Sequence, residues 1–176
     1  EVIVPAVSWS TTYFPLHQYG LKLKFVDIDL ETLKYYFFMN TNLSRAHIIR
    51  LPKINDPRGN LSVLEEEKEI PFKIKRTNWI YDVPGGEIRG ANAFIEQQVL
   101  IIVLSGSLDV VVFDGIEEKK FSLNRSYFGL YLPNRLWYHM ENFATNTLTL
   151  VVSSSLFKES DYIRNIDEFI KLQQNE

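Results

Sequence analysis

The sequence contains no cysteine, which excludes disulfides, thiolate nucleophiles and cysteine–zinc sites from its chemistry. It has only three histidines, His17, His47 and His139, so side chains that titrate near neutral pH are scarce. Long hydrophobic runs are also missing. The apolar stretch Val2–Val7 is far too short to span a membrane. Neither sign of charge dominates: 19 Lys and Arg stand against 22 Asp and Glu, a formal net charge of −3. The basic residues are scattered and form no stripe of the kind that tracks a nucleic-acid backbone. A cysteine-free chain without a charged-then-apolar leader is expected in the cytoplasm. What is present is ordinary for a folded protein, with 45% hydrophobic and 23% charged residues over 176 positions. That is enough for one domain of common size plus an extension.

The hydrophobic pattern changes along the chain. EVIVPAVSW reads as a buried strand, STTYFPLHQYG as a helix between a Ser10 or Thr11 cap and Gly20, and LKLKFVDID as a second strand, a β-α-β pattern. After residues 34–46, read as a linker, short apolar runs recur, among them AHIIRLP, QVLIIVLSGS, LDVVVFDG, FGLYLP and TLTLVVSSS. Turn residues separate them, including Asp56-Pro57-Arg58-Gly59, Pro84-Gly85-Gly86, Ser105-Gly106-Ser107 and Asp114-Gly115. Many short strands at roughly ten-residue spacing predict an all-β sandwich or barrel. The tail, roughly residues 160–173, predicts one amphipathic helix. Ser160 is its expected cap, and Ile163, Ile166, Phe169 and Ile170 form its apolar face. Glu65-Glu66-Glu67 reads as a solvated charge run.

Six pieces in order, LPKINDPRGNLSVLEE, IPFKIKR, RGANAF, LSGSLDVVVFDG, GLYLPNRLW and SDYIRNIDEF, resemble the sugar-nucleotide 3,4-ketoisomerases of the cupin superfamily. The resemblance runs from about His47 to Phe169. It implies a double-stranded β-helix (cupin jelly roll) over residues 47–176, a homodimer, and a dTDP-linked 4-keto-6-deoxyhexose as ligand. It also implies deoxyamino-sugar biosynthesis for cell-surface polysaccharide, without metal or organic cofactor. Moving a ketone from C4 to C3 needs a group of near-neutral pKa within reach of the sugar. The family pattern supplies it as His-Ala-His after Arg-Gly and one residue. Here the run is Arg89-Gly90-Ala91-Asn92-Ala93-Phe94, so Asn92 and Phe94 hold the positions of the histidines. Gln98 stands where cupins often carry glutamate, and Asn78 and Trp79 where the family tends to have tyrosines. Neither an amide nor a phenyl ring titrates near neutrality, and the same changes remove the ligands of a metal cupin.

The remaining candidates follow from residue chemistry. Arg76 and Arg89 suit a diphosphate, which favours planar bidentate donors, or alternatively form surface ion pairs. Trp79, Tyr131 and Trp137 are candidate stacking surfaces for base or sugar, or core filling. His139 and Tyr138 are candidate replacement proton-transfer groups. Strand alternation sets Trp137 and His139 on one face and Tyr138 on the other. His17 reads as a surface helix residue and His47 as structural. Three functional readings stand at this point: a divergent ketoisomerase with replacement groups, a non-catalytic module that binds a sugar nucleotide or a pathway enzyme, and a decayed fusion product. The fusion reading comes from residues 1–33, EVIVPAVSWSTTYFPLHQYGLKLKFVDIDLETL. They resemble an internal piece of a pyridoxal-phosphate sugar aminotransferase, in which the aromatic at Trp9 would stack on the cofactor. The piece has no Schiff-base lysine region and is not expected to hold the cofactor usefully.

Overall fold

The computed structural model describes residues 42–174 and, before them, the backbone of three strands: β1 (Val2–Pro5), β2 (Leu23–Ile28) and β3 (Tyr35–Tyr36). The chain divides into two units, Glu1–Thr41 and Asn42–Glu176. In the first, β1 runs parallel to β2, from Val2 opposite Leu23 to Pro5 opposite Val26. β3 pairs antiparallel with β2. The helix expected between β1 and β2, which carries His17, and Trp9 just before it lie outside the described residues.

The second unit opens with a 3-10 turn, Asn42–Arg45, followed by twelve strands and one helix. The first strands are β4 (His47–Arg50), β5 (Lys53–Ile54), β6 (Leu61–Ser62), β7 (Arg76–Ile80), β8 (Arg89–Phe94) and β9 (Val99–Ser105). Then come β10 (Leu108–Phe113), β11 (Glu118–Leu123), β12 (Phe128–Leu132), β13 (Trp137–Glu141), β14 (Leu148–Ser153) and β15 (Tyr162–Ile163), before α1 (Ile166–Gln174). Two five-stranded sheets result, ordered β11-β10-β13-β8-β15 and β4-β12-β9-β14-β7, with β5 and β6 as a separate hairpin. Every pairing within the two large sheets is antiparallel. This is the cupin jelly roll.

Period-two alternation explains which residues meet between the sheets. Along β9, Val99, Ile101 and Val103 point inward to join Val110, Val112 and Met140 of the facing sheet. Leu100 and Ile102 point outward into a second cluster with Leu51, Ile70 and Phe72. A strand covered on both faces has no polar alternation to show, hence the unbroken Val99-Leu100-Ile101-Ile102-Val103. Gly106 turns β9 into β10 at φ +78, and a Cβ there would stand 2.8 Å from the Thr147 backbone, so position 106 requires glycine.

A third cluster, Ala93, Trp137, Ile163 and Phe169, lies between the first sheet and α1. The helix starts later than the tail's spacing predicts. Residues Glu159–Asp161 form a 3-10 turn, and Tyr162 and Ile163 extend the sheet as β15, opposite Phe94 and Ala93. The cause is Asp161, which is buried and accepts the backbone N–H groups of Glu96 (2.7 Å) and Gln97 (3.1 Å). It thereby ties the tail to the β8–β9 connection. Asn165, not Ser160, caps the helix, its Oδ1 accepting from the N–H groups of Asp167 (2.8 Å) and Glu168 (3.1 Å). Among the described residues no helix is long and apolar enough to cross a membrane.

Candidate functional site

A cavity of about 310 Å³ opens between the sheets, bordered by β7 and β14 on one side and by β8, β13 and β15 on the other. The geometry begins with a bulge. Tyr138 pairs with Asn92 and His139 with Gly90, leaving Ala91 unpaired. Gly90 and Ala91 take φ of 87 and 56. At Gly90 a Cβ would also meet the Tyr138 ring at 3.2 Å, so the glycine of the Arg-Gly motif is a backbone requirement. Beyond the bulge Asn92 and Phe94 line the cavity, and Ala93 turns outward beneath α1.

The same alternation sorts β13. Tyr138 and Met140 line the cavity, and Trp137 packs under α1 with its ring 5.9 Å from Phe169. His139 lies on the outer face, 3.5 Å from Glu141, which also holds Lys120 at 2.7 Å. His139 is therefore not a proton-transfer group of this cavity, and Trp137 is core rather than a stacking surface. Tyr131 and Gln98 are likewise turned away. On β12 the inward positions belong to Leu130 and Leu132. Tyr131 joins the outer cluster, donates to Gln98 Oε1 at 2.7 Å and stacks with Phe72 at 6.4 Å. Trp79 pairs with outer-face Leu150 and is 61% exposed. It borders the cavity from the edge strand, and its neighbours Arg76 and Asn78 occupy the inward register opposite Ser153 and Val151.

Arg76, Arg89, Asn92, Phe94 and Tyr138 thus converge on one cavity, together with residues that the sequence did not single out: Gln97, Ser153, Tyr162 and Arg164. Arg76 donates from Nη2 to the Tyr162 hydroxyl at 3.0 Å. Tyr162 meets Phe94 edge-on at 4.8 Å, and the Arg164 guanidinium lies 4.7 Å from its ring centre. Arg164 is held by Glu159 at 2.8 Å. Burial pushes the Tyr138 phenol far above its ordinary range. Nearby Tyr162 adds to the shift, and the Arg76 charge and the Asn92 side chain only partly oppose it. Tyr138 therefore keeps its proton at neutral pH.

Five buried side-chain atoms among the described residues have no hydrogen-bond partner. Four belong to cavity residues: Arg76 Nε, Asn92 Nδ2, Gln97 Nε2 and Ser153 Oγ. The fifth, Thr149 Oγ1, belongs to the same inward register of β14. An unpaired buried polar group costs about 1–3 kcal/mol, and four of these five atoms belong to residues that line this one cavity. Among the described residues, none that lines the cavity is His, Asp or Glu, and no group of three or more His, Cys, Asp or Glu is placed to hold a metal. A second cavity, about 380 Å³, lies on the outer face beside β5 and β6. None of the unpartnered atoms belongs to a residue that lines it.

The two antiparallel five-stranded sheets are those of a cupin in architecture. Residues 44–174 match the family described as FdtA, WxcM-like, C-terminal, and the chain belongs to that family. The TDP-4-oxo-6-deoxy-alpha-D-glucose-3,4-oxoisomerase of Aneurinibacillus thermoaerophilus is 37% identical over 124 residues, 70% of this chain and 89% of that protein. A 3,4-ketoisomerase from Helicobacter canadensis superposes with a TM-score of 0.72 at 39% identity, covering 73% of this chain and 97% of its own. The sugar 3,4-ketoisomerase QdtA of Thermoanaerobacterium thermosaccharolyticum, in complex with TDP, gives 0.74 at 32% identity, over 76% and 97%. Two other relatives match over only 33 residues. These are the GDP-4-keto-6-deoxy-D-mannose 3-dehydratases of Escherichia coli O55:H7 and Yersinia pseudotuberculosis, 79% and 82% identical, of whose length the chain spans 8%. They are dehydratases, where the N-terminal resemblance implies an aminotransferase.

Proposed function

We propose that the protein holds a dTDP-linked 4-keto-6-deoxyhexose in the cavity between its sheets, and that 3,4-ketoisomerase catalysis at this site is impaired or lost. The observation that carries this reading is the composition of the lining. Arginines and unpartnered hydrogen-bonding groups remain, and no residue that titrates near neutrality does. Isomerisation removes the proton on C3 beside the ketone and returns one to C4. Asn92 and Phe94 cannot take that proton, and Tyr138, kept protonated by burial, is not a base for it. Binding does not share this requirement. Arg76, Arg89 and Arg164 supply guanidinium donors for a diphosphate. A relative supports the retention of binding: a His-to-Asn mutant of QdtA is in complex with TDP-4-keto-6-deoxyglucose.

In this reading the protein is a cytoplasmic homodimer that works in deoxyamino-sugar biosynthesis, and residues 1–33 are a remnant of another sugar-nucleotide enzyme joined to the cupin. Light scattering at twice the chain mass is the expected result for the dimer. The functional test is incubation with dTDP-4-keto-6-deoxyglucose in deuterated water, with deuterium at C3 followed by NMR. Binding of dTDP by calorimetry without deuterium uptake is expected. Exchange at ordinary enzyme rates would establish the competing reading, a divergent ketoisomerase with other proton-transfer groups.

A further inference from the structure

The outer face of the sheet β4-β12-β9-β14-β7 is covered on one half and bare on the other. Ile70 and Phe72, from the segment between β6 and β7, pack over Leu100, Tyr131 and Val152. The other half runs from Tyr127 through Ile102 and Leu104 to Leu150, Trp79 and Tyr81. There Leu104, Trp79 and Tyr81 are 45%, 61% and 60% exposed. Two open depressions lie along this strip, one of about 380 Å³ beside β5 and β6 and one of about 330 Å³ beside Tyr81. The outer face of the other large sheet is of a different kind. On it Glu141 pairs with Lys120 and His139, Asp109 accepts from Ser122 and Asn142, and α1 packs over Trp137. Paired charges of that sort suit water, whereas a contiguous apolar strip rich in aromatics marks an interaction surface.

The charges at the two ends of the strip say what it fits. Lys53 lies at the β12 end, its Nζ 5.2 Å from the centre of the Tyr127 ring. Asp82 lies at the β7 end, next to Tyr81. Neither forms an ion pair with a described residue. The two ends are level with each other. Gly129, Ile102, Leu150 and Trp79 form one row across the sheet, and Tyr127 and Tyr81 each stand two residues further along in the same direction. We propose that this half-face binds a second copy of the chain, sheet against sheet, about a two-fold axis that runs along the strands. That axis lays the β7 end of each copy over the β12 end of the other, so Lys53 of each meets Asp82 of the other, with Leu104, Leu150 and Trp79 enclosed between them. An axis across the strands would instead bring like charges together at both ends. The assignment rests on the reading of the protein as a homodimer and adds the surface and the orientation that make it one.

The experiment is analytical ultracentrifugation of the full chain over a series of concentrations. It compares the unmodified protein with Leu104→Arg, with Lys53→Glu and Asp82→Lys singly, and with the two charge reversals combined. The unmodified protein is a dimer. Leu104→Arg raises its dissociation constant by about 30-fold or more, because it buries an unpaired charge in the middle of the interface. Each single reversal sets like charges together at both ends and raises the constant by about tenfold. The combined reversal restores opposite charges at both ends and returns it to within about threefold of the parent's. All three positions are exposed, so the variants keep their fold, which far-UV circular dichroism checks. A dimer that withstands Leu104→Arg, or a combined reversal that associates no better than the single ones, would overturn the assignment alone and place the dimer contact on another surface. A monomer at every concentration would overturn the homodimer reading and the inference with it, and would leave the strip to a different partner.

Discussion

At the level of single residues, the two positions to which the proposed loss of catalysis is assigned both face the cavity. Asn92 and Phe94 stand two apart on β8, past the bulge, and both line the cavity beside Tyr138. Imidazoles introduced at both positions would project into that same space. The double variant Asn92→His, Phe94→His is expected to raise solvent exchange at C3 of dTDP-4-keto-6-deoxyglucose by about 10²- to 10⁴-fold, the usual worth of a positioned acid–base group. NMR in deuterated water measures it, and exchange at the parent's rate in a folded, dTDP-binding variant would mean that more than the imidazoles is missing. Tyr138 allows a separate check by pH. Its folded pKa is raised from the ordinary 10.0, first by burial. The stability it contributes is therefore fully present below about pH 10 and is lost as pH rises towards the folded value, because the unfolded phenol ionises first. Between about pH 10 and 11 the parent is expected to lose about 1 kcal/mol more than Tyr138→Phe in urea unfolding. Parallel decline of the two proteins would place the phenol in contact with water.

Among the elements, the C-terminal segment shows where tertiary contacts override local pattern. Ile163, Ile166, Phe169 and Ile170 fall at helical spacing, yet Ile163 belongs to a strand. Asp161 gains more from the backbone N–H groups of Glu96 and Gln97 than from a helical turn. The helix starts only where Asn165 caps it, with Asp167 and Glu168 in its first turn, where the helix dipole favours acidic side chains. Asn165→Ala is expected to cost about 1 kcal/mol by urea unfolding, and Ser160→Ala to stay within about 0.5 kcal/mol. The reverse order would restore the helix start at residue 160. Phe169, fully buried against Trp137 and Phe113, is the larger anchor, and Phe169→Ala should cost about 3–5 kcal/mol. The jelly roll itself was legible because its strands alternate and its turns carry Gly, Asp and Pro. Alternation alone placed Trp137 and His139 opposite Tyr138. It could not say which face looks inward, since that depends on α1 covering Trp137, a contact some thirty residues away in sequence. The same gap hid Tyr162, which enters the cavity only because its segment pairs with β8.

For the whole molecule, the question is how much of the chain the proposed site needs. The three hydrophobic clusters are made of residues from Leu43 to Ile170, and the cavity is lined by residues from Arg76 to Arg164. The division into units falls between Thr41 and Asn42, close to the start of the family match at residue 44. A chain of roughly 130 residues is long enough to bury a stable core, and this one keeps both large sheets and the helix that covers one of them. Residues 42–176 expressed alone are therefore expected to fold cooperatively, with the urea midpoint of the full chain to within about 10–15%, and to bind dTDP with an affinity within about threefold of the parent's, a difference of less than 1 kcal/mol. Urea unfolding and calorimetry on the two proteins side by side measure both. The 33-residue likeness to dehydratases would then have no bearing on the cavity. A truncated chain that unfolds, or that folds and loses dTDP while the full chain binds it, would instead make the first unit a working part of the protein rather than a remnant joined to it.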